Sequence, residues 1–297
     1  MLSLFRVVSY GVELPDDYLA AVQHAVSEAG GDIVELENFQ NDRFKATILT
    51  VGYDGDTAAG LSALRAAVKP VITETLGTAV MPAELAGPHR KMLIMDVDST
   101  LIKQEVIELL AEHAGTHVEV AAVTEAAMRG ELDFAQSLHA RVETLRDLPV
   151  DVTERVRETV QLSDGAAELV EAFLDAGHVV GVVSGGFSQI LDPLAAELKL
   201  HYWRANLLGT AEGALTGLVD GAVVDRAAKE ASLREWAEAE NIDLAQTIAI
   251  GDGANDLDML AAAGLGVAFN AKPAVRDAAD AAINIPYLDV ARLFAGV

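Results

Sequence analysis

The sequence predicts an α/β chain of two domains, a small split βαβ sandwich followed by a larger domain built on a parallel sheet with an inserted helical cap. Three observations carry that prediction. At 297 residues the chain exceeds a single domain of roughly 100 to 200 residues. Its first 80 residues run strand, helix, strand, strand, helix, strand. Beyond residue 90, four short apolar runs each give way to small or acidic residues and then to a helical pattern, as parallel strands do.

In chain order, Leu4 to Ser9, Ile33 to Asn38, Phe44 to Val51 and Thr75 to Ala79 read as extended. Asp16 to Ala29 and Asp56 to Val68 carry apolar residues at helical spacing, with Gly30, Gly31 and the Gly52 to Gly55 stretch marking turns. Met81 to Arg90 contains Pro82, Gly87 and Pro88 and reads as a connection, because proline breaks both helix and ladder. The second domain begins at Lys91. Met92 to Met95, Val179 to Val183, Thr247 to Ile250 and Gly266 to Phe269 are its parallel strands. The helical stretch from Lys103 to Val160 is too long for a simple crossover and is read as the cap. Ligands of open α/β sheets bind beyond the carboxyl ends of the strands, so the chemistry is expected there.

Composition narrows that chemistry. Apolar residues make up 51% and charged residues 23%, as in a folded chain and unlike a disordered one. With no cysteine, disulfides, thiolate metal sites and cysteine nucleophiles are excluded, and any metal must rest on oxygen or imidazole. Twenty-one basic side chains against 46 acidic ones give −25, which repels a nucleic-acid backbone and requires local cations for any anionic substrate. No apolar run approaches the roughly 18 to 20 residues of a membrane span, and Met1 to Tyr10 lacks the charged start of a signal peptide. The expectation is a cytoplasmic protein without nucleic-acid or membrane partners.

Three strand ends share one polar logic. The first runs into Asp96-Val97-Asp98-Ser99-Thr100, whose two carboxylates can either cap the next helix or hold a divalent cation while one attacks and the other manages protons. The second ends in Ser184-Gly185-Gly186, a hydroxyl beside uncrowded backbone N–H groups that suit an anion. The third ends in Gly251-Asp252-Gly253-Ala254-Asn255-Asp256, again acids on a loop opening into a helix. Lys229, Leu233 and Trp236 share one helical stripe, which points an ammonium along buried surface. Arg141 lies on the stripe of Phe134, Leu138 and Leu145 and needs a carboxylate from protein or ligand. On spacing alone Glu105 joins Glu108 and Glu112 on a solvated acidic face.

Together DVDST at 96–100, Ser184 with its glycines, Lys229 and GDGAND at 251–256 resemble the four ordered motifs of haloacid dehalogenase superfamily phosphatases, over residues 91–297. The stretches DVDSTLIKQEVIELLA, AMRGELDFAQSLHARV, VVSGGF and GDGANDLDML are most similar to the branch of that superfamily acting on phosphoserine. The resemblance implies a Rossmann-like core with a helical cap and magnesium-dependent hydrolysis of O-phospho-L-serine, a small-molecule substrate, through an aspartyl phosphate. It implies Asp96 as nucleophile and Asp98 as acid and then base. Magnesium would be held by the Asp96 carboxylate, the Asp98 carbonyl and Asp252, with Asp256 steering the metal shell. Ser184, Gly185 and Lys229 would bind phosphoryl oxygens with Asn255 beside them. Glu105 would take the substrate ammonium and Arg141 its carboxylate, with Met128 and Phe134 closing the cap, which reverses the spacing-based reading of Glu105.

Residues 1–80 resemble an ACT domain, a βαββαβ amino-acid-binding module. Gly11, Pro15 and Asp16 are what remains of that family's ligand loop, and the module offers regulation or a homodimer interface. Two other functions stay open: transfer of the phosphoryl group to an alcohol such as homoserine, and a non-catalytic amino-acid sensor. The intact set of Asp96, Asp98, Lys229 and Asp252 speaks against the sensor. Every proposed catalytic residue lies at or beyond Asp96, so a chain lacking residues 1–88 is expected to be a soluble phosphatase.

Overall fold

The computed structural model describes residues 2–129 and 131–297, with the backbone but not the side chain of Met128. The first third forms β1 (Leu2–Gly11), α1 (Asp16–Glu28), β2 (Gly31–Gln40), β3 (Lys45–Asp54), α2 (Thr57–Val68) and β4 (Leu76–Pro82). These strands make one antiparallel sheet in the order β2-β3-β1-β4. Strand side chains alternate between faces, and here both faces are apolar. Phe5, Val7, Val51 and Val80 pack under α1 and α2 against Val22, Val26 and Leu64. Val8, Tyr10, Ala46, Ile48, Ala79 and Met81 point the other way, into a core they share with Ile283, Leu288 and Phe294 from the end of the chain.

Met81 and Pro82, placed in the connection by proline content, are the last residues of β4, and Leu85 just beyond is 1% exposed. Proline is tolerated there because β4 is an edge strand. Polar ties reinforce the docking. Arg43 pairs with Glu168 at 2.5 Å and Asp289 at 2.6 Å, Arg6 Nε donates to the Leu293 carbonyl at 2.9 Å, and the Tyr10 hydroxyl donates to the Ala282 carbonyl.

This packing revises the expectation for the chain lacking residues 1–88. The fragment keeps every acid of the site but uncovers Phe294, Leu288 and Ile283, each worth about 1.5–3 kcal/mol when buried. We expect a lower thermal midpoint and aggregation, measured by scattering during a melt. A monomeric fragment with the full-length midpoint would contradict the shared core.

The second sheet has seven strands, β5 (Met92–Met95), β6 (Val179–Phe187), β7 (Tyr202–Ala211), β8 (Ala214–Asp220), β9 (Thr247–Gly251), β10 (Leu265–Phe269) and β11 (Ala281–Ile283), in the order β11-β10-β9-β5-β6-β7-β8. All neighbours are parallel except the β7–β8 hairpin. Strand β5 lies between β9 and β6, the point at which the chain's winding reverses and a ligand crevice opens. The expected four parallel strands are present, with β6 running on through Phe187.

Among the described residues five α-helices lie between β5 and β6: α3 (Val106–Ala114), α4 (His117–Met128), α5 (Phe134–Glu143) and α6 (Val152–Thr159), followed by α7 (Ala166–Asp175). After β6 come α8 (Ser188–Glu197), α9 (Arg226–Ala239), α10 (Leu257–Ala262), α11 (Pro273–Ala278) and α12 (Ala291–Ala295). The cap rests on the hairpin through backbone bonds, Asp147 N–H to the Leu215 carbonyl at 2.9 Å and Leu215 N–H to the Leu148 carbonyl at 2.8 Å. Among the described residues no helix is long and apolar enough to cross a membrane.

Candidate active site

The site begins where β5 ends. The Asp96 N–H still donates to the Ile250 carbonyl of β9 at 2.9 Å, so its side chain is fixed at the sheet's edge, 4% exposed. One wide turn follows over Val97–Leu101, closed by Ile102 N–H donating to the Val97 carbonyl at 2.9 Å. Within it Asp98 is extended and Ser99 is left-handed at φ 58°, a conformation that costs a non-glycine residue roughly 1–2 kcal/mol. The Ser99 hydroxyl offsets part of that cost by donating to Glu105 Oε1 at 2.7 Å.

Asp98 sits between two donors. Its Oδ1 accepts from the Val106 N–H at the start of α3 at 2.8 Å, and its Oδ2 accepts from the Ser184 hydroxyl at 3.1 Å. Burial outweighs both bonds and lifts its pKa above the usual carboxylate value. The two glycines after Ser184 permit this approach. A Cβ on Gly186 would stand 2.7 Å from Asp98 Oδ2, and one on Gly185 would stand 2.9 Å from the Phe134 ring.

Lys229 is fully buried, as the helical stripe predicts, with Nζ 2.6 Å from Asp96 Oδ1 and 2.6 Å from Asp256 Oδ1. Burial opposes its charge, but the two carboxylates together raise its pKa above the ordinary lysine value. Burial and the Asp256 charge push Asp96 the same way, with Lys229 pulling against them. Asp252 accepts from the Thr100 hydroxyl at 3.4 Å, and burial followed by the Asp256 charge pushes it up to about 6.

Carboxylate oxygens of Asp96, Asp252 and Asp256 all lie within 4.8 Å of one another. Three carboxylates against one ammonium leave two negative charges uncompensated. An oxygen-only donor set with that excess fits a hard divalent cation. Asp256 is the most engaged of the three, since its other oxygen accepts from the Gly253 N–H at 3.0 Å.

Asp96, Asp98 and Asp252 floor a cavity of about 560 Å³, with Phe134 above and Glu105 and Arg141 on its cap side. Glu105 is not on the acidic face that spacing assigned to it. It is the residue before α3, at φ −96° and ψ 111°, so it leaves the helical register of Glu108 and Glu112 and enters the cavity. Burial, then the neighbouring Asp98 charge, lifts it to about 7. Arg141 is half-buried and donates from Nε to the Ser137 carbonyl at 3.3 Å, yet among the described residues it has no ion-pair partner. Burial lowers its pKa.

Most of the residues chosen from sequence therefore converge. Gly185 and Asn255 line the cavity, whereas Lys229 lies behind Asp96 and Ser184 faces Asp98. The Met128 side chain falls outside the described residues. Sequence reasoning missed Ser99 and Lys272: the first was hidden within DVDST, and the second reaches the cavity from the start of α11 with no local pattern to mark it.

A family model for haloacid dehalogenase-like hydrolases matches residues 93–261. A phosphoserine phosphatase of Streptomyces coelicolor is 46% identical over 291 residues, covering 98% of this chain and 70% of that protein. The crystal structure of a probable phosphoserine phosphatase from Vibrio cholerae superposes with a TM-score of 0.75 at 33% identity, covering 98% of this chain and 86% of that one. A phosphoserine phosphatase structure carrying a phospho-aspartyl intermediate analogue gives a TM-score of 0.64 at 41% identity, covering 69% and 97%.

Proposed function

The chain belongs to the haloacid dehalogenase-like hydrolases and, among them, to the phosphoserine phosphatases, and from that premise we propose that it hydrolyses O-phospho-L-serine to L-serine and phosphate, the last step of serine biosynthesis. One observation carries the choice of substrate. The cavity that holds Asp96 and Asp98 also holds a carboxylate, Glu105, and an arginine, Arg141, that has no ion-pair partner among the described residues. That pair complements the ammonium and carboxylate of an amino acid whose phosphate reaches the strand ends.

In this reading the Asp96 carboxylate attacks phosphorus as the bond to the serine oxygen breaks, and Asp98 gives that oxygen its proton. Asp98 then takes a proton from water, whose oxygen attacks phosphorus and breaks the bond to Asp96, releasing phosphate. Magnesium would be held by the Asp96 carboxylate, the Asp98 carbonyl and Asp252, and when bound it supplies positive charge against the phosphoryl oxygens. Asp256 orients Lys229, and Lys229 holds the attacking carboxylate from behind. Phe134, against Gly185, closes the cavity to stray water.

The reading extends to organisation. Residues 1–82, through the end of β4, form an ACT-like module for regulation or dimerisation, 83–90 connect, and 91–297 do the chemistry in the cytoplasm. Leu2, Leu4, Val34 and Leu36 of the N-terminal sheet are 47–69% exposed and support a homodimer through that module.

Phosphate release from a panel of phosphomonoesters, with magnesium or with chelator and with or without homoserine, tests the assignment. Magnesium-dependent release favouring phosphoserine and unchanged by homoserine is the expected result. Release that falls as phosphohomoserine accumulates would identify a phosphotransferase instead, and a lack of turnover on every ester would overturn the enzyme assignment.

A further inference from the structure

The ladder between β6 and β7 is broken beside the site. Val183 pairs with Arg204 and Phe187 with Asn206, so residues 184–186 leave the regular register. The backbone that carries Ser184 and Gly185 therefore needs another anchor, and a side chain provides it. Asn206 is 1% exposed on β7, and its Nδ2 donates to the Gly185 carbonyl at 2.8 Å. Its Oδ1 accepts from the Val224 N–H at 2.8 Å. Only one orientation of the amide satisfies both partners, so the link has a fixed polarity.

We propose that Asn206 is a positioning residue for phosphoryl transfer, tying the Ser184–Gly186 turn to the entry of α9, an inference that rests on the function proposed above. The peptide joining Gly185 to Gly186 is held at both ends, its carbonyl by Asn206 and its N–H by donation to Ser184 Oγ at 2.7 Å. With that N–H occupying a lone pair of Ser184, the hydroxyl proton is directed to Asp98 Oδ2 at 3.1 Å. The bonds run in one direction, from amide to peptide to hydroxyl to carboxylate, so each polarises the next. At its other end Asn206 fixes Val224, next to Asp225, which caps α9 by accepting from the Ala228 N–H at 2.9 Å. One turn beyond lies Lys229. A single buried amide thus sets the turn that faces the phosphoryl group relative to the helix that holds the attacking carboxylate.

The test compares Asn206→Asp and Asn206→Ser with the full-length wild type. Asn206→Asp keeps the size and the acceptor for Val224 but turns an oxygen towards the Gly185 carbonyl, whereas Asn206→Ser is the smaller change and leaves room for a bridging water. Each variant is assayed below its melting temperature with phosphoserine and with an aryl phosphate, and for inhibition by inorganic phosphate. We expect kcat/KM to fall by about tenfold or more in Asn206→Asp, equally for both substrates, with weaker phosphate inhibition and Asn206→Ser in between. An unchanged substrate ratio separates this effect from a loss of amino-acid recognition. If either folded variant keeps kcat, KM and phosphate inhibition within twofold of wild type, Asn206 is only a core residue and the proposal fails. Wild type that prefers the aryl phosphate would instead remove the phosphoserine assignment, and the Asn206 comparison would still be read on the aryl ester.

Discussion

Asp96→Asn is expected to leave no measurable turnover, a loss of at least about 10⁴-fold, because the amide oxygen cannot displace an alkoxide from phosphorus. Phosphate-monoester hydrolysis calls for as much as ~10²¹-fold acceleration, and little of it survives without the attacking group. The substitution should spare the fold. Lys229 keeps its bond to Asp256 at 2.6 Å, and an Asn oxygen can still accept from the Val97 N–H, which now donates to Asp96 Oδ1 at 2.7 Å. Initial rates on phosphoserine, with a melt to establish folding, decide it. A folded variant with more than a hundredth of wild-type activity would exclude Asp96 as nucleophile.

Lys229→Ala should damage both stability and rate. The ammonium is fully buried between Asp96 and Asp256, so its removal leaves two neighbouring carboxylates without a counter-charge, a loss of about 3–5 kcal/mol of stability. The rate should fall by about 3 kcal/mol of transition-state stabilisation, comparable to losing one preorganised donor. Because Lys229 lies behind Asp96 and not on the cavity wall, the loss should appear in kcat more than in KM. Urea unfolding and steady-state kinetics on the same preparation check both halves. A stable variant with wild-type kcat would reduce Lys229 to a long side chain filling the core.

The polar residues after the apolar runs were legible because the chemistry is local: Asp96, Ser184 and Asp252 each follow a short apolar run, and parallel strands place such ends side by side. The role of Glu105 was not legible from spacing, since it depended on where α3 starts. One residue outside the helix removes a side chain from the face shared by Glu108 and Glu112. The β7–β8 hairpin escaped notice because Gly209 and Gly217 interrupt the alternation of its strands, and β11 is only three residues long. Asn206 carries no local signal, as both its partners are distant in sequence. The second apolar face of the N-terminal sheet was readable in Val8, Tyr10, Ala46 and Ile48, and it marks a sheet buried on both sides.

The central claim is that this cavity reads an amino acid as well as a phosphate, and a ratio tests it most directly. Glu105 and Arg141 border the cavity on its cap side while Asp96 and Asp98 floor it, so they should serve phosphoserine and hardly touch an aryl ester. A lysine point charge cannot reproduce the planar fork of Arg141 on a carboxylate, and a glutamine cannot balance an ammonium. Measured as kcat/KM for phosphoserine divided by kcat/KM for an aryl phosphate, Arg141→Lys and Glu105→Gln should each fall at least about tenfold below wild type, roughly 1.4 kcal/mol. A ratio unchanged from wild type in both variants would contradict phosphoserine as the substrate while leaving the chemistry at phosphorus in place.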